Sequence, residues 1–239
     1  MKNKTTTPSV NATNTNTKLS ATAEMCHHAF DTLLSHLIKH HRVNENILES
    51  IPKHAHCPLF VTWETKQGIV EEQKKHDSYR LRGCIGTLSP KHLSSGLGEY
   101  AGISAFRDSR FEPIQLSEVK HLKVAVSLLV SYEECQHVYD WIVGIHGIII
   151  SFTVNGRHYN ATYLPEVSMQ QGWTQEEAVE SLVRKAGWYG HIQDHMIQSI
   201  RCTRYQSSKE HMMYEEYVQR LKYDPLNTAV EGMESTCTI

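Results

Sequence analysis

A short segment between two glycine residues carries the residue types most suited to chemistry in this chain. Within residues 81–88, Gly83 and Gly86 flank Cys84, and Arg82 directly precedes the first glycine. We expect a strand that breaks here into a tight turn with the thiol at its tip, because glycine tolerates unusual backbone conformations and close approaches. A thiol beside a guanidinium group can act as a nucleophile. The alternative is that Cys84 only fills space at a corner of a sheet, as buried free cysteines commonly do.

A second glycine-bracketed turn, at residues 144–147, supplies a candidate base, His146. If the fold brings the two segments together, His146 would take the proton of Cys84 while a carboxylate orients the imidazole ring. The carboxylates considered for that role are Asp108, Asp140 and Glu166. Alternatively, the ring of His146 donates to a nearby carbonyl and only stabilises its own turn. The spacing along the chain does not decide between these interpretations.

Cationic residues cluster around the first segment in the sequence, at Arg80, Arg82, Arg107 and Arg110. Guanidinium groups bind carboxylate and phosphate groups through paired hydrogen bonds, but they would equally pair with neighbouring acidic residues such as Asp108 and Glu112. The predicted binding residues are Arg82, Gly83, Gly86, Arg107, Asp108, Arg110, Asp140 and Glu166.

The 16 histidines invite a metal-binding interpretation that the spacing does not support. His36 and His40 would share one helix face, but that face is polar and includes Lys39, and zinc needs a third and usually a fourth ligand. We therefore predict no metal site and no cofactor. The formal net charge of -2 argues against nucleic acid as a partner. No apolar run approaches the length of a membrane span, so we expect no membrane association.

Hydrophobic spacing predicts helices and strands that do not alternate regularly. The predicted helices cover residues 24–41, 93–105, 174–186 and 211–221, and the predicted strands cover 58–65, 79–88, 121–130, 148–154, 157–164 and 198–205. Asn155-Gly156 is a strong hairpin signal. Together these elements predict an α+β fold with a mostly antiparallel sheet and flanking helices.

The ends of the chain differ in composition from its centre. Residues 1–22 are rich in Thr and Asn and are expected to be disordered, because they cannot bury enough apolar surface. Residues 23–223 are expected to form the domain, and residues 224–239 a loose tail. The six cysteines show no CxxC spacing, and the N-terminus lacks the apolar core of a signal peptide. We therefore expect reduced thiols in an intracellular protein.

Ten segments, in order along residues 25–222, resemble one known family. They lie at residues 58–63, 81–90, 104–113, 126–129, 140–141, 144–147, 161–167, 171–173, 182–187 and 203–205. The chain resembles the AMMECR-type domain family, which is named for an Alport-syndrome, midface-hypoplasia and elliptocytosis chromosomal region. So many matching segments make the resemblance specific where any one of them would be weak.

The resemblance implies two lobes around a central cleft, with no established enzymatic activity or cofactor. It also implies a location in the cytoplasm, the nucleus or both, and a pathway shared with Memo-type and radical-SAM proteins, which are the partners it suggests. The chain departs from the family at Ile142, where members usually carry an acidic residue. If that acidic residue contributes to the function of the cleft, the cleft of this chain is expected to function less well at this position.

Two hypotheses for function follow. The first is a binding module whose cleft, built around the Arg82–Gly86 segment, holds a peptide, a protein partner or a small ligand. The alternative is a thiol-dependent enzyme with Cys84 as nucleophile and His146 as base. The sequence does not identify the ligand, the reaction or the oligomeric state.

Overall fold

The computed structural model describes residues 19–67 and 79–227. Most of the two predicted tails, residues 1–22 and 224–239, lies outside the described residues, as does the charged stretch 68–78. The elements, in chain order, are α1 (Ala23–Leu37), α2 (Glu45–Ser50), β1 (His56–Lys66), β2 (Tyr79–His92), α3 (Leu93–Phe106), a 3-10 helix (Leu116–His121), β3 (Leu122–Glu134), β4 (Gly147–Val154), β5 (Arg157–Tyr163), α4 (Pro165–Gln171), α5 (Gln175–Lys185), α6 (Asp194–Ser199), β6 (Arg201–Met213) and α7 (Tyr214–Leu221). Among the described residues, no helix is long and apolar enough to cross a membrane.

The six strands found within residues 19–67 and 79–227 form one sheet in the order β2-β1-β3-β6-β4-β5. Every neighbouring pair is antiparallel. Helices flank this sheet, which confirms the predicted α+β class with an antiparallel sheet. Because side chains alternate between the two faces of a strand, Leu59, Val61 and Trp63 of β1 all point to one face, where each is fully buried.

The first hydrophobic core lies where α1 and α3 cover this face of the sheet. Phe30 of α1 packs edge-on against Trp63, with ring centroids 5.2 Å apart, and Leu97 of α3 is fully buried in the same cluster. The indole nitrogen of Trp63 donates to the backbone oxygen of Ala101 at 3.1 Å. This hydrogen bond satisfies the one polar atom of a buried ring and fixes α3 against β1.

A second core is built from the chain between β3 and β6. The β4–β5 hairpin turns at Asn155 and Gly156, whose φ angles of 51° and 76° are those of the turn that favours Asn-Gly. Helix α5 packs on the hairpin through Val179, Leu182 and other buried residues, and Thr174 begins it with a reciprocal capping box. The hairpin and the helix were both predicted from the sequence, and both predictions are confirmed.

The predicted turn at Cys84 is wrong. Strand β2 continues without interruption from Tyr79 to His92, and neither Gly83 nor Gly86 has a positive φ. Leu81, whose apolar character suggested burial, is 41% exposed. The last predicted helix also begins later than expected, because β6 extends to Met213.

Candidate functional site

Cys84 lies in the middle of β2, directly opposite Thr62 of β1. The Thr62 hydroxyl donates to the Cys84 sulfur at 3.2 Å, and the Cys84 side chain is half-buried. Among the described strands, β2 is an outer strand of the sheet. One side of its backbone therefore faces away from β1 and is open to other groups.

Two side chains from the segment after α3 bind this outer backbone at Cys84. The Cys84 N–H donates to Asp108 Oδ2 at 2.9 Å, and Arg110 Nη2 donates to the Cys84 carbonyl oxygen at 3.0 Å. Arg110 also donates to both carboxylate oxygens of Asp108, at 2.9 Å from Nε and 2.7 Å from Nη2. We call these two residues the Asp108–Arg110 bracket. The bracket uses the two backbone groups that a further strand would use at this position.

The two residues of the bracket differ in burial, and the ion pair between them shifts the pKa of the buried carboxylate. Hydrogen bonds from the Arg110 side chain are the main cause of a pKa for Asp108 well below its usual range; the Cys84 N–H acts in the same direction, and burial opposes both. The Asp108 side chain is 3% exposed, whereas that of Arg110 is 54% exposed. The bracket is therefore a fixed ion pair whose cationic half meets solvent.

Arg82 is directed to a different acidic residue. Its Nε and Nη2 donate to the carboxylate of Glu118 at 2.8 and 3.0 Å, and Nη1 donates to the carbonyl oxygen of Glu112 at 2.7 Å. The Arg82 side chain is 12% exposed. Burial acts to raise the pKa of Glu118, but hydrogen bonds from Arg82 and from the Gln115 N–H lower it overall. Arg82 thus joins β2 to the 3-10 helix, and most of its donors are engaged within the protein.

The two glycines beside Cys84 allow close packing on both sides of β2. A Cβ atom on Gly83 would lie 2.2 Å from the Ser104 carbonyl oxygen of α3, and one on Gly86 would lie 2.3 Å from the Leu59 carbonyl oxygen and from the Phe60 ring. Real Cβ atoms do not come this close to a backbone oxygen. Both positions therefore need glycine because neighbouring atoms leave no room for a Cβ, and not because the backbone turns there.

His146 lies in the chain between β3 and β6 that carries the second core, which we call the second lobe, in a turn closed by Gly144 at a φ of 81°. Its Nδ1 accepts a hydrogen bond from the Ile142 N–H at 3.0 Å. Burial lowers the pKa of His146, and the nearby positive charge of Arg204 lowers it further. The ring therefore stabilises its own turn, but it does so as an acceptor from a backbone N–H and not, as expected, as a donor to a carbonyl oxygen.

Asp140 is bound by Arg204 of β6. Arg204 Nη1 donates to Asp140 Oδ1 at 2.7 Å, and Arg204 Nε donates to Glu133 Oε2 at 3.0 Å. The Gln136 N–H is the main cause of a lowered pKa at Asp140, and Arg204 adds to it. This network connects the end of β3, the start of the second lobe and β6.

The two remaining predicted residues, Glu166 and Arg107, contact neither the bracket nor the Arg204–Asp140 network in the interactions described above. Glu166 is in the first turn of α4, half-buried and close enough to Tyr205 to raise its pKa, although burial is the main cause of that shift. Arg107 follows α3 and lines a cavity of about 690 Å³ between α1 and α3, together with His36 and Glu99.

The structure does not bring Cys84 and His146 together. Cys84 pairs with Thr62, Thr62 with Ala125, and Ala125 with His211 of β6, whereas Gly147, next to His146, pairs with Tyr205 of β6. The path between them crosses four strand spacings, about 19 Å, and then follows β6 from His211 to Tyr205. The structure therefore brings together Gly83, Cys84, Gly86, Asp108 and Arg110, with Arg82 alongside. It places His146 and Asp140 in a second group.

Cys84 lines none of four cavities of about 560 to 950 Å³ that the described residues form. Within residues 19–67 and 79–227, no group of three or more His, Cys, Asp or Glu side chains is arranged to hold a metal ion. The site around Cys84 is thus an exposed strand edge with an attached ion pair.

Sequence reasoning missed Thr62 and Glu118, which bind Cys84 and Arg82. Thr62 is a cross-strand neighbour, and its position could be derived only from the register between β1 and β2. Glu118 belongs to a 3-10 helix whose capping pattern, with Gln115 and Glu118 three residues apart, is a recognisable local signal.

Comparison with known proteins gives a consistent result. The model of the family described as AMMECR1 matches residues 26–210. The uncharacterized protein At2g38710 of Arabidopsis thaliana is 46% identical over 206 residues, which is 85% of this chain and 91% of that protein. The uncharacterized protein C688.03c of Schizosaccharomyces pombe is 39% identical, covering 83% of this chain and 96% of that protein. The crystal structure of the uncharacterized protein PH0010 from Pyrococcus horikoshii superposes with a TM-score of 0.50 at 23% identity, covering 77% of this chain and 91% of that one, so it has the same fold.

Proposed function

Because the chain belongs to the AMMECR1 family, we propose that it is a binding module whose recognition surface is the outer edge of β2 around Cys84. The observation that supports this most directly is the Asp108–Arg110 bracket. It binds the outward N–H and C=O groups of Cys84 with side chains, so at this position β2 presents the half-exposed guanidinium group of Arg110 instead of its own backbone groups. A ligand at this edge is then recognised through side chains, with a carboxylate of the ligand on Arg110.

The side chains along this edge favour a peptide that combines apolar and acidic residues. Leu81 and Leu88 of β2 are 41% and 45% exposed, and side chains of this kind provide apolar contacts to a bound peptide. Arg80 and Arg107 are exposed, and the Arg110 side chain is 54% exposed. A carboxylate on the peptide would pair with Arg110 without displacing Asp108, because Arg110 holds Asp108 through Nε and Nη2 and a guanidinium group has a further Nη1.

The thiol-enzyme alternative gains no support from the placement of its two residues. The Cys84 sulfur contacts a hydroxyl group, and His146 accepts a hydrogen bond within its own turn.

The test is selection of peptides from a random ten-residue library on the full chain, followed by two variants. Leu88→Glu places a negative charge on the edge of β2, which repels an acidic peptide, and Arg110→Gln removes the cationic half of the bracket. We expect selected peptides to be enriched in Asp and Glu and to lose at least tenfold in affinity for both variants. Ile142→Glu is the matched control, since Ile142 is an exposed apolar residue of the second lobe, 56% exposed, and it should leave binding unchanged.

Amide shifts measured by NMR on adding a selected peptide locate the contact independently of the variants. Shifts confined to β2 and residues 107–111 are expected. Binding that survives Leu88→Glu, or amide shifts that fall in the second lobe instead, would reject this surface.

A further inference from the structure

The second lobe is an insertion whose two ends lie side by side. The chain leaves the sheet at Glu134, at the end of β3, and returns at Arg201, at the start of β6. Glu134 pairs with Thr203 across the two strands, and the next residue, Cys135, donates its N–H to the Cys202 carbonyl oxygen at 2.9 Å. All buried residues of the second core except Cys202 of β6, from Val138 to Ile200, lie between these two crossing points. We call this pair of adjacent backbone segments the neck.

Each strand of the neck carries a free thiol. Cys135 is half-buried and Cys202 is buried, and both contact the second core. Because Glu134 pairs with Thr203 and the Cys135 N–H donates to the Cys202 carbonyl oxygen, the register places Cys135 directly opposite Cys202. Residues directly opposite on antiparallel strands have Cα atoms about 4.5 to 5.5 Å apart, which is within the range that a disulfide bond spans.

We propose that Cys135 and Cys202 form an oxidisable pair, a modification site at which a peroxide converts the two thiols into a disulfide across the neck. This site is separate from the proposed binding surface on β2. The Cys135 thiolate attacks one oxygen of the peroxide, the O–O bond breaks, and the departing hydroxide takes up a proton to form water. Cys135 is then a sulfenic acid. The Cys202 sulfur attacks the Cys135 sulfur, the S–O bond breaks, and the hydroxyl group leaves as a second water with the proton of Cys202. Hydrogen peroxide is reduced to two waters, and the two thiols are oxidised by two electrons.

The two sulfurs differ in burial, and this difference gives each a separate role in the two-step reaction. Burial, followed by the interaction with Cys135, raises the pKa of Cys202, so this thiol stays protonated and is shielded from solvent. Cys135 is the more exposed of the pair and is the sulfur that a peroxide reaches first.

The other described thiols lack a comparable partner. Cys26 and Cys57 are both buried, so a peroxide does not reach either sulfur first, and the Cys57 thiol donates to the Leu129 carbonyl oxygen at 3.3 Å. Cys84 and Cys135 are both half-buried, but the Cys84 sulfur contacts Thr62 rather than a second sulfur. Oxidation at Cys84 therefore stops at a single modified sulfur, and only the neck can close a disulfide among the described cysteines.

A disulfide at the neck would close the whole insertion into a covalent loop. Cross-links that close long loops restrict the unfolded chain most. For a domain of this size we expect the melting temperature of the oxidised protein to rise by roughly 10 °C, and to return to its starting value when a dithiol reductant is added.

The experiment uses the full native chain treated with hydrogen peroxide, blocked with N-ethylmaleimide, digested without reduction and analysed by mass spectrometry. We expect one linked peptide pair joining Cys135 to Cys202, and a rise in melting temperature that both Cys135→Ser and Cys202→Ser abolish. Cys84→Ser is the matched control with another partly exposed thiol, and it should retain the linked pair and the rise.

Two results would overturn the proposal. One is wild-type protein in which Cys135 ends as sulfinic acid or joins a cysteine other than Cys202. The other is a Cys135–Cys202 link that leaves the melting temperature unchanged or lowers it. Should a serine variant fail to fold, the mapping of the wild-type disulfide decides by itself.

Discussion

Two adjacent histidines of α1 are buried without adequate partners. His27 and His28 are 2% and 4% exposed. Both ring nitrogens of His27 and the Nδ1 of His28 lack a hydrogen-bond partner within the described part of the chain. The nearest charge is Asp31, whose Oδ1 lies 3.7 Å from His27 Nε2 and accepts a hydrogen bond from the Tyr217 hydroxyl at 2.7 Å. Burial lowers the pKa of both histidines, so both are held neutral in the folded protein.

This burial predicts loss of stability in mild acid. The unfolded chain binds protons on these histidines near their ordinary pKa of 6.5, whereas the folded protein does not. The free energy of unfolding should therefore fall as pH drops below about 6.5, by at most about 1.4 kcal/mol per pH unit for each histidine. Urea unfolding at pH 7.5, 6.5 and 5.5 measures this slope.

His27→Phe keeps a ring against Tyr217, 4.7 Å away in the native structure, and removes the titrating group. It should reduce the slope, whereas the exposed His191→Gln should leave it unchanged. An equal slope in the wild type and His27→Phe would contradict the assignment.

Asp31 acts in a separate, lower pH range. Burial acts to raise its pKa, but hydrogen bonds from His41 and Tyr217 outweigh burial and lower the pKa below 3.8. Its contribution to the free energy of unfolding is therefore lost only as pH falls through that lower value.

Asp108 is the residue on which the bracket depends. Asp108→Asn would keep the shape of the side chain but remove the charge that holds Arg110 and the Cys84 N–H. Since hydrogen bonds to a charged group each contribute about 1.5 to 3 kcal/mol and Arg110 is half exposed, we expect a loss of about 1 to 3 kcal/mol in the free energy of unfolding at pH 7. Urea denaturation measures it. The exposed Glu112→Gln, whose side chain is outside the bracket, should cost less than about 0.5 kcal/mol.

At the scale of elements, the contact between β2 and α3 depends on a missing side chain. The Gly83 backbone lies so close to Ser104 that any Cβ would overlap its carbonyl oxygen. Both partners are backbone, so the overlap can be relieved only by moving the strand or the helix.

Gly83→Ala should therefore destabilise the protein by about 3 kcal/mol or more, beyond the usual range for single substitutions. Gly102→Ala, two residues before Ser104 in α3, is the control: its Cβ would lie 3.9 Å from His36, and alanine favours a helix over glycine by about 1 kcal/mol. Thermal unfolding of both variants should give shifts of opposite sign. A Gly83→Ala variant as stable as the wild type would show that β2 and α3 are loosely joined.

Local patterns were sufficient to predict elements but not the contacts between them. The apolar stripe of α1, the Asn-Gly hairpin and the capping box of α5 each depend on residues a few positions apart, and all three are present. Glycines 83 and 86 were misread because a turn and a close approach both require a missing Cβ, and the sequence does not distinguish them. Whether Cys84 and His146 lie together depends on the order of the strands in the sheet. The spacing of residues along the chain does not reveal that order. The engagement of Arg82 by Glu118 was hidden for the same reason.

At the scale of the whole molecule, one sheet supports two separate hydrophobic cores. Strand β6 belongs to both, with Met212 in the first core and Cys202 in the second. Since each core is covered by its own helices, each can open with a different free energy.

Leu182→Ala in α5 should therefore raise amide hydrogen exchange across residues 136–201 while β1 and β3 stay protected. Leu182 is fully buried, and such a truncation typically costs about 2 to 5 kcal/mol. Leu97→Ala, at an equally buried position in α3, is the matched counterpart and should raise exchange in β1, β2 and α3 first. Uniform acceleration over the whole chain by either variant would mean that the two cores unfold only together.

The neck has a consequence for how this architecture can change. The Cys135 N–H on the entering side donates to the Cys202 carbonyl oxygen on the leaving side, so the two ends of the second lobe are adjacent. A short linker could therefore replace the second lobe without changing the path of the remaining backbone. A different domain whose two ends are equally close could be inserted in its place.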